Sequence, residues 1–180
     1  MSAGDMPYRT TRRDKSTGPA FVRIIASWGG GAIKRADELF WAGAAMLALS
    51  NALEQAGYST ELVLQSHAIS GYGGGFDHCV RVTVKQAGEQ VSLNRLAFLS
   101  AHAGALRTYG FQGYKVAPTK LNEGLGHQIQ AAPLRSKLES IGLLAPSDVL
   151  VDSCFSLEDA RRELGKAVAF LNAYDAKATA

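Results

Sequence analysis

The sequence has few cysteines, no long apolar run and no apolar N-terminal segment. Only Cys79 and Cys154 occur in 180 residues, which argues against a disulfide scaffold and favours a reducing compartment. No stretch approaches the roughly 18 apolar residues that a membrane-spanning helix needs. Residues 1–15 are polar and basic and do not resemble a secretory signal. We therefore predict a cytoplasmic protein that makes no membrane contact.

The sequence also has little excess charge of either sign, since its net charge is only +3. The positive side chains are concentrated near the N-terminus, at Arg9, Arg12, Arg13 and Lys15. Such a run can bind phosphate, and nucleic acid is therefore a candidate partner, but most such runs are solvated tails. Residues 1–19 lack apolar periodicity, so we predict a flexible basic leader followed by a single domain at residues 20–176.

The remainder of the chain is rich in apolar residues (47%) and in glycine (19 residues), as expected of a globular domain with glycine-rich connections. Residues 21–27 form a short apolar run that predicts a strand, and residues 33–56 have the apolar spacing of a helix that ends at Gly57. A second strand is predicted at residues 58–65. A strand, helix and strand in this order predict a right-handed crossover between parallel strands.

Residues 78–86 alternate between polar and apolar side chains, as an edge strand does. The preceding loop, residues 66–77, is too short for a crossover helix, so this strand should be antiparallel. The later elements are predicted as helices at 93–99, 101–109, 133–141 and 156–174, a strand at 148–152, and an irregular segment at 110–132. The fold class is therefore α/β and Rossmann-like, with an open, mostly parallel sheet, one antiparallel edge strand and helices on both faces.

This order of elements resembles that of von Willebrand A-like domains. The resemblance is carried by the strand at residues 21–27 and by the segment AGAAMLALSNALEQAGYSTELVL at residues 42–64. The segment VSLNRLAFLSAHAGALRTYGF at residues 91–111 is similar to parts of uncharacterised phage and mobile-element proteins. The resemblance implies an α/β domain that binds other proteins, and it adds association with a virion as an alternative location.

The turn after the first strand departs from the family pattern. Its metal motif reads Asp-x-Ser-x-Ser, whereas this chain has Ala-Ser-Trp-Gly-Gly at residues 26–30. The carboxylate is missing, and a hard divalent cation needs several oxygen ligands that include carboxylate. We therefore expect no metal ion of the family type and no cofactor.

Ligands of open α/β sheets bind beyond the carboxyl ends of the parallel strands. Residues with polar or aromatic side chains, together with two glycines, are predicted to converge there: Ser27, Trp28, Gly29, Gly30, His67, Phe76, Asp77, His78, Asp152 and Ser153. We take this edge as the candidate binding site.

Three kinds of chemistry could use such a site, and each lacks its usual motif. The glycine-rich turn could hold a phosphate, but neither GxGxxG nor GxxxxGK[ST] is present. Ser27 or Ser153 could act as a nucleophile with a histidine and an aspartate, but there is no GxSxG sequence. A transition metal could be bound by His67, His78, Asp77 and a cysteine, but CxxC and HxxxH spacings are absent.

We therefore expect a non-catalytic domain for protein–protein interaction or assembly. Its interface would be the carboxyl edge of the sheet or the aromatic loop at residues 109–114. A nucleic-acid- or nucleotide-binding accessory protein and a Ser/His/Asp hydrolase are the alternatives. Homo-oligomerisation through the edge strand at residues 78–86 is also left open. His127 is interpreted as an isolated loop residue.

Overall fold

The computed structural model describes residues 20–28, 35–70, 75–105, 108–109, 112–113, 125–127, 131–140, 142 and 144–178. The strands are β1 (Phe21–Ser27), β2 (Ser59–Ser70), β3 (Gly75–Lys85), β4 (Leu125–His127) and β5 (Val149–Val151). The helices are α1 (Ala36–Gln55), α2 (Leu93–Ala101), the single turn α3 (Ala103–Ala105), α4 (Ala131–Ser140) and α5 (Leu157–Ala178). None of the described helices is long and apolar enough to cross a membrane.

The sheet has the strand order β3-β2-β1-β5, with β1 parallel to both of its neighbours and β3 antiparallel at one edge. Pairing between β1 and β2 runs from Phe21 opposite Ser59 to Ser27 opposite Gln65. The predicted α/β fold class, with its parallel pair and antiparallel edge strand, is thus confirmed.

The prediction of a loop at residues 66–77 is wrong. Strand β2 continues to Ser70 and β3 begins at Gly75, so most of that segment pairs as a hairpin. The apolar pattern fades after residue 65, but backbone hydrogen bonds between adjacent strands do not require apolar side chains.

Strand β4 was not predicted from the sequence. It pairs antiparallel with β2 at His67 and Ala68. Because β3 occupies the other edge of β2 from Leu62 to Ser70, β4 must lie on the side of β1. Strand β1 ends at Ser27, opposite Gln65, and β4 lies beside the next part of β2, in the direction in which β1 would have continued.

Helices cover both faces of the sheet, as predicted. On one face, alternate residues of β1 such as Ile24 pack with α1, α2 and α5, and on the other face Ile25 and Val63 pack with Leu138 of α4. The period-two alternation of a strand places neighbouring residues on opposite faces. Both faces of the central strand are therefore buried, which explains its continuous apolar sequence.

The outer edge of β5 is covered by two charged side chains. Arg135 donates from Nη2 to the carbonyl oxygen of Asp148 at 2.5 Å, and Glu163 accepts from the N–H of Asp152 at 3.3 Å. The guanidinium of Arg135 also lies 4.3 Å from the ring centre of Phe170. Backbone groups at the two ends of this short edge strand therefore have partners within the chain.

Candidate functional site

A polar row crosses the sheet at the carboxyl end of β1. It consists of Ser153, Ser27, Gln65 and Arg81. The hydroxyl of Ser153 donates to the hydroxyl of Ser27 at 3.1 Å, Ser27 is in register with Gln65, and Arg81 donates from Nε to the side-chain oxygen of Gln65. Gln65 is buried, and a buried amide needs such partners because leaving it unpaired is costly.

Trp28 is a core residue. Its side chain is 4% exposed, its indole N–H donates to the carbonyl oxygen of Leu99 at 2.8 Å, and its backbone N–H donates to the carbonyl oxygen of Gln65 at 2.6 Å. The expectation that Trp28 contributes to a binding surface is therefore wrong, because its ring is used to join the end of β1 to α2.

The segment after β5 brings Asp152 and Ser153 to the same edge, as predicted. The buried Cys154 thiol contacts the carbonyl oxygen of Asp152 at 3.3 Å. Burial, assisted by the carboxylates of Glu163 and Asp159, raises the pKa of the Cys154 thiol to about 12. Because a nucleophilic cysteine requires the thiolate, Cys154 is unsuited to that role near neutral pH.

The remaining predicted site residues divide into two groups. For His67, Phe76, Asp77 and His78 the structure describes the backbone in β2 and β3. Gly29 and Gly30 lie outside the described residues.

The backbone register fixes the positions of the histidines. His67 stands opposite Cys79, and Ala68 stands opposite His78. The two histidines predicted to act together therefore occupy successive rows of the sheet and opposite faces. His127 lies in β4, opposite His67, so the interpretation of His127 as an isolated loop residue is wrong.

Charge and metal ligands offer no further described site. Arg9, Arg12, Arg13 and Lys15 lie outside the described residues. Among the side chains that the structure describes, no group of three or more histidine, cysteine, aspartate or glutamate residues could hold a metal ion.

A cleft of about 270 Å³ lies along the outer edge of β5, with Arg135, Lys166 and Phe170 among its lining residues. Arg135 is paired with Glu139 at 3.0 Å, and Lys166 is paired with Glu163 at 2.6 Å. Since these cations already have carboxylate partners, the cleft offers a ligand little uncompensated charge.

A ring cluster, formed by Phe98, His102 and Tyr109, lies on the surface at the end of α2. The ring centre of Phe98 is 5.3 Å from that of His102 and 6.1 Å from that of Tyr109. Phe98 is 43% exposed and Tyr109 is 55% exposed. Sequence reasoning selected Tyr109 as part of an aromatic loop but missed Phe98, because an aromatic residue in an apolar helix reads as core.

Sequence reasoning also missed Gln65 and Arg81. Each is a polar residue inside a β-strand, a signal that is visible in the sequence. Their pairing depends on the register between β2 and β3, which the sequence alone does not reveal.

The fold and the site define a class: a single-sheet α/β domain with a central parallel pair, an antiparallel edge strand and a polar row at the carboxyl edge. The chain belongs to the family described as Domain of unknown function (DUF7192), which it matches over residues 5–177. No curated protein and no solved structure matches the chain.

Proposed function

We propose that this chain is a non-catalytic protein–protein interaction domain and that the ring cluster of Phe98, His102 and Tyr109 is its contact surface. The observation that carries the proposal is the exposure of neighbouring aromatic rings, in tilted and edge-to-face contact, at the end of α2. Aromatic side chains are enriched at protein interfaces and often dominate their binding energy.

The composition of the cluster suits a protein partner. Binding would remove the apolar surface of the Phe98 and Tyr109 rings from water. Each Å² of apolar surface buried in this way contributes roughly 25 cal/mol to the binding free energy. His102 is exposed and supplies a polar group beside the two rings. An apolar centre with a polar border is the usual anatomy of such interfaces.

The polar groups at the carboxyl edge support a non-catalytic role. The hydroxyl of Ser27 is hydrogen-bonded to that of Ser153. A nucleophilic serine needs a general base as its hydrogen-bond partner, and a second serine does not serve as one. Gln65 and Arg81 are likewise bonded to each other. These groups stabilise the sheet, and their arrangement favours interaction over catalysis.

The order of elements supports the likeness to von Willebrand A-like domains, which we retain as part of the proposal. The observed chain order is strand, helix, strand, antiparallel edge strand and helices, followed by β4, a helix, β5 and the last helix, so it matches the predicted order apart from the added strand β4. The similarity of residues 91–111 to parts of phage and mobile-element proteins favours a role within an assembly derived from such an element.

The test compares proteins captured from cells of the source by the wild-type chain and by three single variants. Phe98→Ala and Tyr109→Ala remove rings of the cluster. Leu93→Ala is the matched control, because Leu93 is also on α2 and is 60% exposed. A true partner is retained by the wild type and by Leu93→Ala and is lost with both ring variants.

The partner so identified is then purified and titrated with each variant. We expect its affinity to fall by at least about 10-fold for Phe98→Ala and Tyr109→Ala, because truncating a central aromatic commonly costs about 2 kcal/mol or more. Equal affinity of all four chains, or equal weakening by Leu93→Ala, would exclude the ring cluster as the contact surface.

A further inference from the structure

The pairing of β1 with β2 fixes the directions of the backbone groups of β1. Trp28, next after β1, donates its N–H to the carbonyl oxygen of Gln65. At the other end of the strand, the carbonyl oxygen of Ala20 accepts from the N–H of Ser59. Successive residues of a strand direct their backbone groups to opposite sides. The even-numbered residues of β1 therefore bond to β2, and the odd-numbered residues face β5.

This alternation leaves Leu150 facing away from the sheet. Ile25 of β1 is in register with Leu150 of β5, and the two strands are parallel. In a parallel pair, the residue that faces its neighbour bonds to the two residues on either side of its partner. Ile25 thus bonds to Val149 and Val151, and the N–H and carbonyl oxygen of Leu150 point to the outer edge.

The hydrogen bonds at the two ends of β5 agree with this assignment. Asp148 and Asp152, two residues before and after Leu150, also offer backbone groups at the outer edge. These groups are bonded to the side chains of Arg135 and Glu163. Within the described part of the chain, no residue bonds to the outward N–H or carbonyl oxygen of Leu150. The edge therefore has one available donor and one available acceptor between two closed ends.

The outward groups of Leu150 open into the cleft beside β5. Its floor is β5, and its walls are Arg135 of α4 and one face of α5. Glu163, Ala167 and Phe170 follow each other at spacings of four and three, which places them on one face of the helix. Glu163 reaches one end of β5, and Phe170 contacts Arg135 at the other. The small side chain of Ala167 lies between them and leaves room beside Leu150.

A peptide backbone supplies the groups that this cleft can bind. One residue of an extended antiparallel chain offers both an acceptor and a donor to the residue opposite it. A charged ligand is not favoured, because Arg135 and Lys166 already have carboxylate partners. The volume of about 270 Å³ is just below the roughly 300–1,000 Å³ of pockets for small molecules, and it suits a segment of a few residues.

We propose that the cleft between α4 and α5 binds an extended, uncharged peptide segment through the backbone groups of Leu150. In such strand addition, backbone hydrogen bonds supply affinity and the walls of the groove select side chains. Because Arg135 and Glu163 close the two ends of β5, the added segment pairs through one residue and forms no longer ladder. This site uses α4, β5 and α5, so it is independent of the ring cluster at the end of α2.

The test uses the full ¹⁵N-labelled chain and N-acetylvaline N-methylamide, a small uncharged probe that carries both backbone groups. NMR should show a saturable shift of the Leu150 amide signal. Saturation should need millimolar probe, because a ligand of about a dozen non-hydrogen atoms binds weakly. At about ten times its Kd, the probe should slow hydrogen exchange of the Leu150 amide by about 10-fold, since exchange then requires the probe to leave.

A matched control probe carries a methyl group on the valine nitrogen. It keeps the acceptor for the Leu150 N–H but has no donor for the Leu150 carbonyl oxygen, so it should bind at least about 5-fold more weakly. Equal binding of the two probes, or a Leu150 amide that the probe does not shift, overturns the proposal. Strong protection of this amide in the free chain also overturns it, because the groove would then be filled by the chain itself or by a second copy.

Two variants of α5 test the groove with the same change of side chain. Ala167→Val narrows the cleft beside Leu150, whereas Ala169→Val adds the same two methyl groups at an exposed position. Ala167→Val should weaken probe binding by more than about 10-fold, since overpacking commonly displaces neighbouring groups, and Ala169→Val should leave it unchanged. Equal affinity of the two variants contradicts the site. Should Ala167→Val fail to fold, the two probes on the wild-type chain still decide.

Discussion

At the scale of single residues, Lys85 shows how a local irregularity changes the environment of a side chain. The alternation at residues 78–86 assigns Lys85 to the polar face of an edge strand, but its side chain is only 1% exposed. A β-bulge places Lys85 opposite Leu62 and Thr83 opposite Val63, so the period of two breaks at this point. Val84 and Lys85 are both buried as a result.

The buried ammonium of Lys85 is held by three acceptors. Its Nζ atom lies 2.5 Å from Oε1 of Glu54, 2.7 Å from the carbonyl oxygen of Thr60 and 3.2 Å from the Thr60 hydroxyl. Partial burial opposes ionisation of Glu54, but the hydrogen bonds from Lys85 and Thr60 prevail, and the net effect is to lower the pKa of Glu54.

We predict that Lys85→Met lowers the free energy of unfolding by about 1–3 kcal/mol, because the carbonyl oxygen of Thr60 and the Glu54 carboxylate lose their donor. Arg35→Met is the control, since Arg35 pairs with Asp37 where both side chains are largely exposed, and it should change stability by less than about 0.5 kcal/mol. Denaturant unfolding measures both. Equal effects of the two substitutions would mean that burial does not set the strength of the Lys85 network.

At the scale of elements, the sequence predicted the strand β1 at its observed limits and the starts of α2 and α5 from their capping residues. Ser92 accepts a hydrogen bond from the N–H of Arg95, and Ser156 accepts one from the N–H of Asp159. These signals are local, so one sequence suffices to find them. The extension of β2, the strand β4 and the pairing of Gln65 with Arg81 depend on contacts between distant segments, which local patterns cannot reveal.

The packing of α1 on α2 depends on a glycine. A Cβ atom added to Gly43 would lie 2.2 Å from the Ser100 hydroxyl oxygen and 2.7 Å from the Ser100 Cβ atom. Ser100 is buried, and its hydroxyl is engaged with the carbonyl oxygen of Leu96. The two helices therefore approach at a distance that only glycine permits at this position.

We predict that Gly43→Ala destabilises the protein by about 1–3 kcal/mol, because the steric cost in a packed interface exceeds the gain in helix propensity. In Gly165→Ala, no atom lies within 4 Å of the added Cβ, and alanine at this exposed position of α5 should stabilise by about 0.5–1 kcal/mol. Thermal unfolding should thus give shifts of opposite sign. A rise in Tm for Gly43→Ala would show that α1 and α2 are less closely packed.

At the scale of the whole molecule, three groups with shifted pKa values contribute to the dependence of stability on pH. Hydrogen bonds from the Ser156 hydroxyl, the backbone N–H of Phe155 and the Arg162 guanidinium lower the pKa of Asp159. The pKa of Glu54 is also lowered, whereas burial raises that of Cys154 to about 12. A lowered carboxyl pKa stabilises the folded state above the carboxyl pKa of the unfolded chain, and this stability is lost as the pH falls. A raised thiol pKa has the opposite sign, because the unfolded thiol ionises first, near ~8.5.

We therefore predict that the free energy of unfolding is greatest near neutral pH, falls below about pH 4 and falls again above about pH 9. Asp159→Asn should flatten the acid side of this profile, and Cys154→Ala should flatten the alkaline side. Denaturant unfolding between about pH 3 and about pH 11, the range over which these groups titrate, measures the profile. Variants whose profiles run parallel to the wild type at all pH values would contradict these assignments.

The arrangement of the strands could be predicted from the sequence, but the residues of the candidate binding site could be predicted only in part. A strand, helix and strand unit has almost one topology available, which explains why the parallel pair could be predicted. The predicted meeting of the segments after β1 and β5 is seen in the hydrogen bond between the hydroxyls of Ser27 and Ser153. Trp28 was misjudged because whether an aromatic residue after a strand faces the core depends on the helix that packs over it.

The covered edge of β5 has a consequence for aggregation. Sheets of separate molecules can join edge to edge wherever backbone groups lack partners. Arg135 and Glu163 occupy such groups at the two ends of β5, whereas β3, at the opposite border, is a long edge strand of 11 residues and is better suited to strand addition. Two copies joined through β3 about a twofold axis would consume that border in both, and the described sheet would then end in β5 on each side. Growth by this route would stop at a pair and could not continue into a fibre.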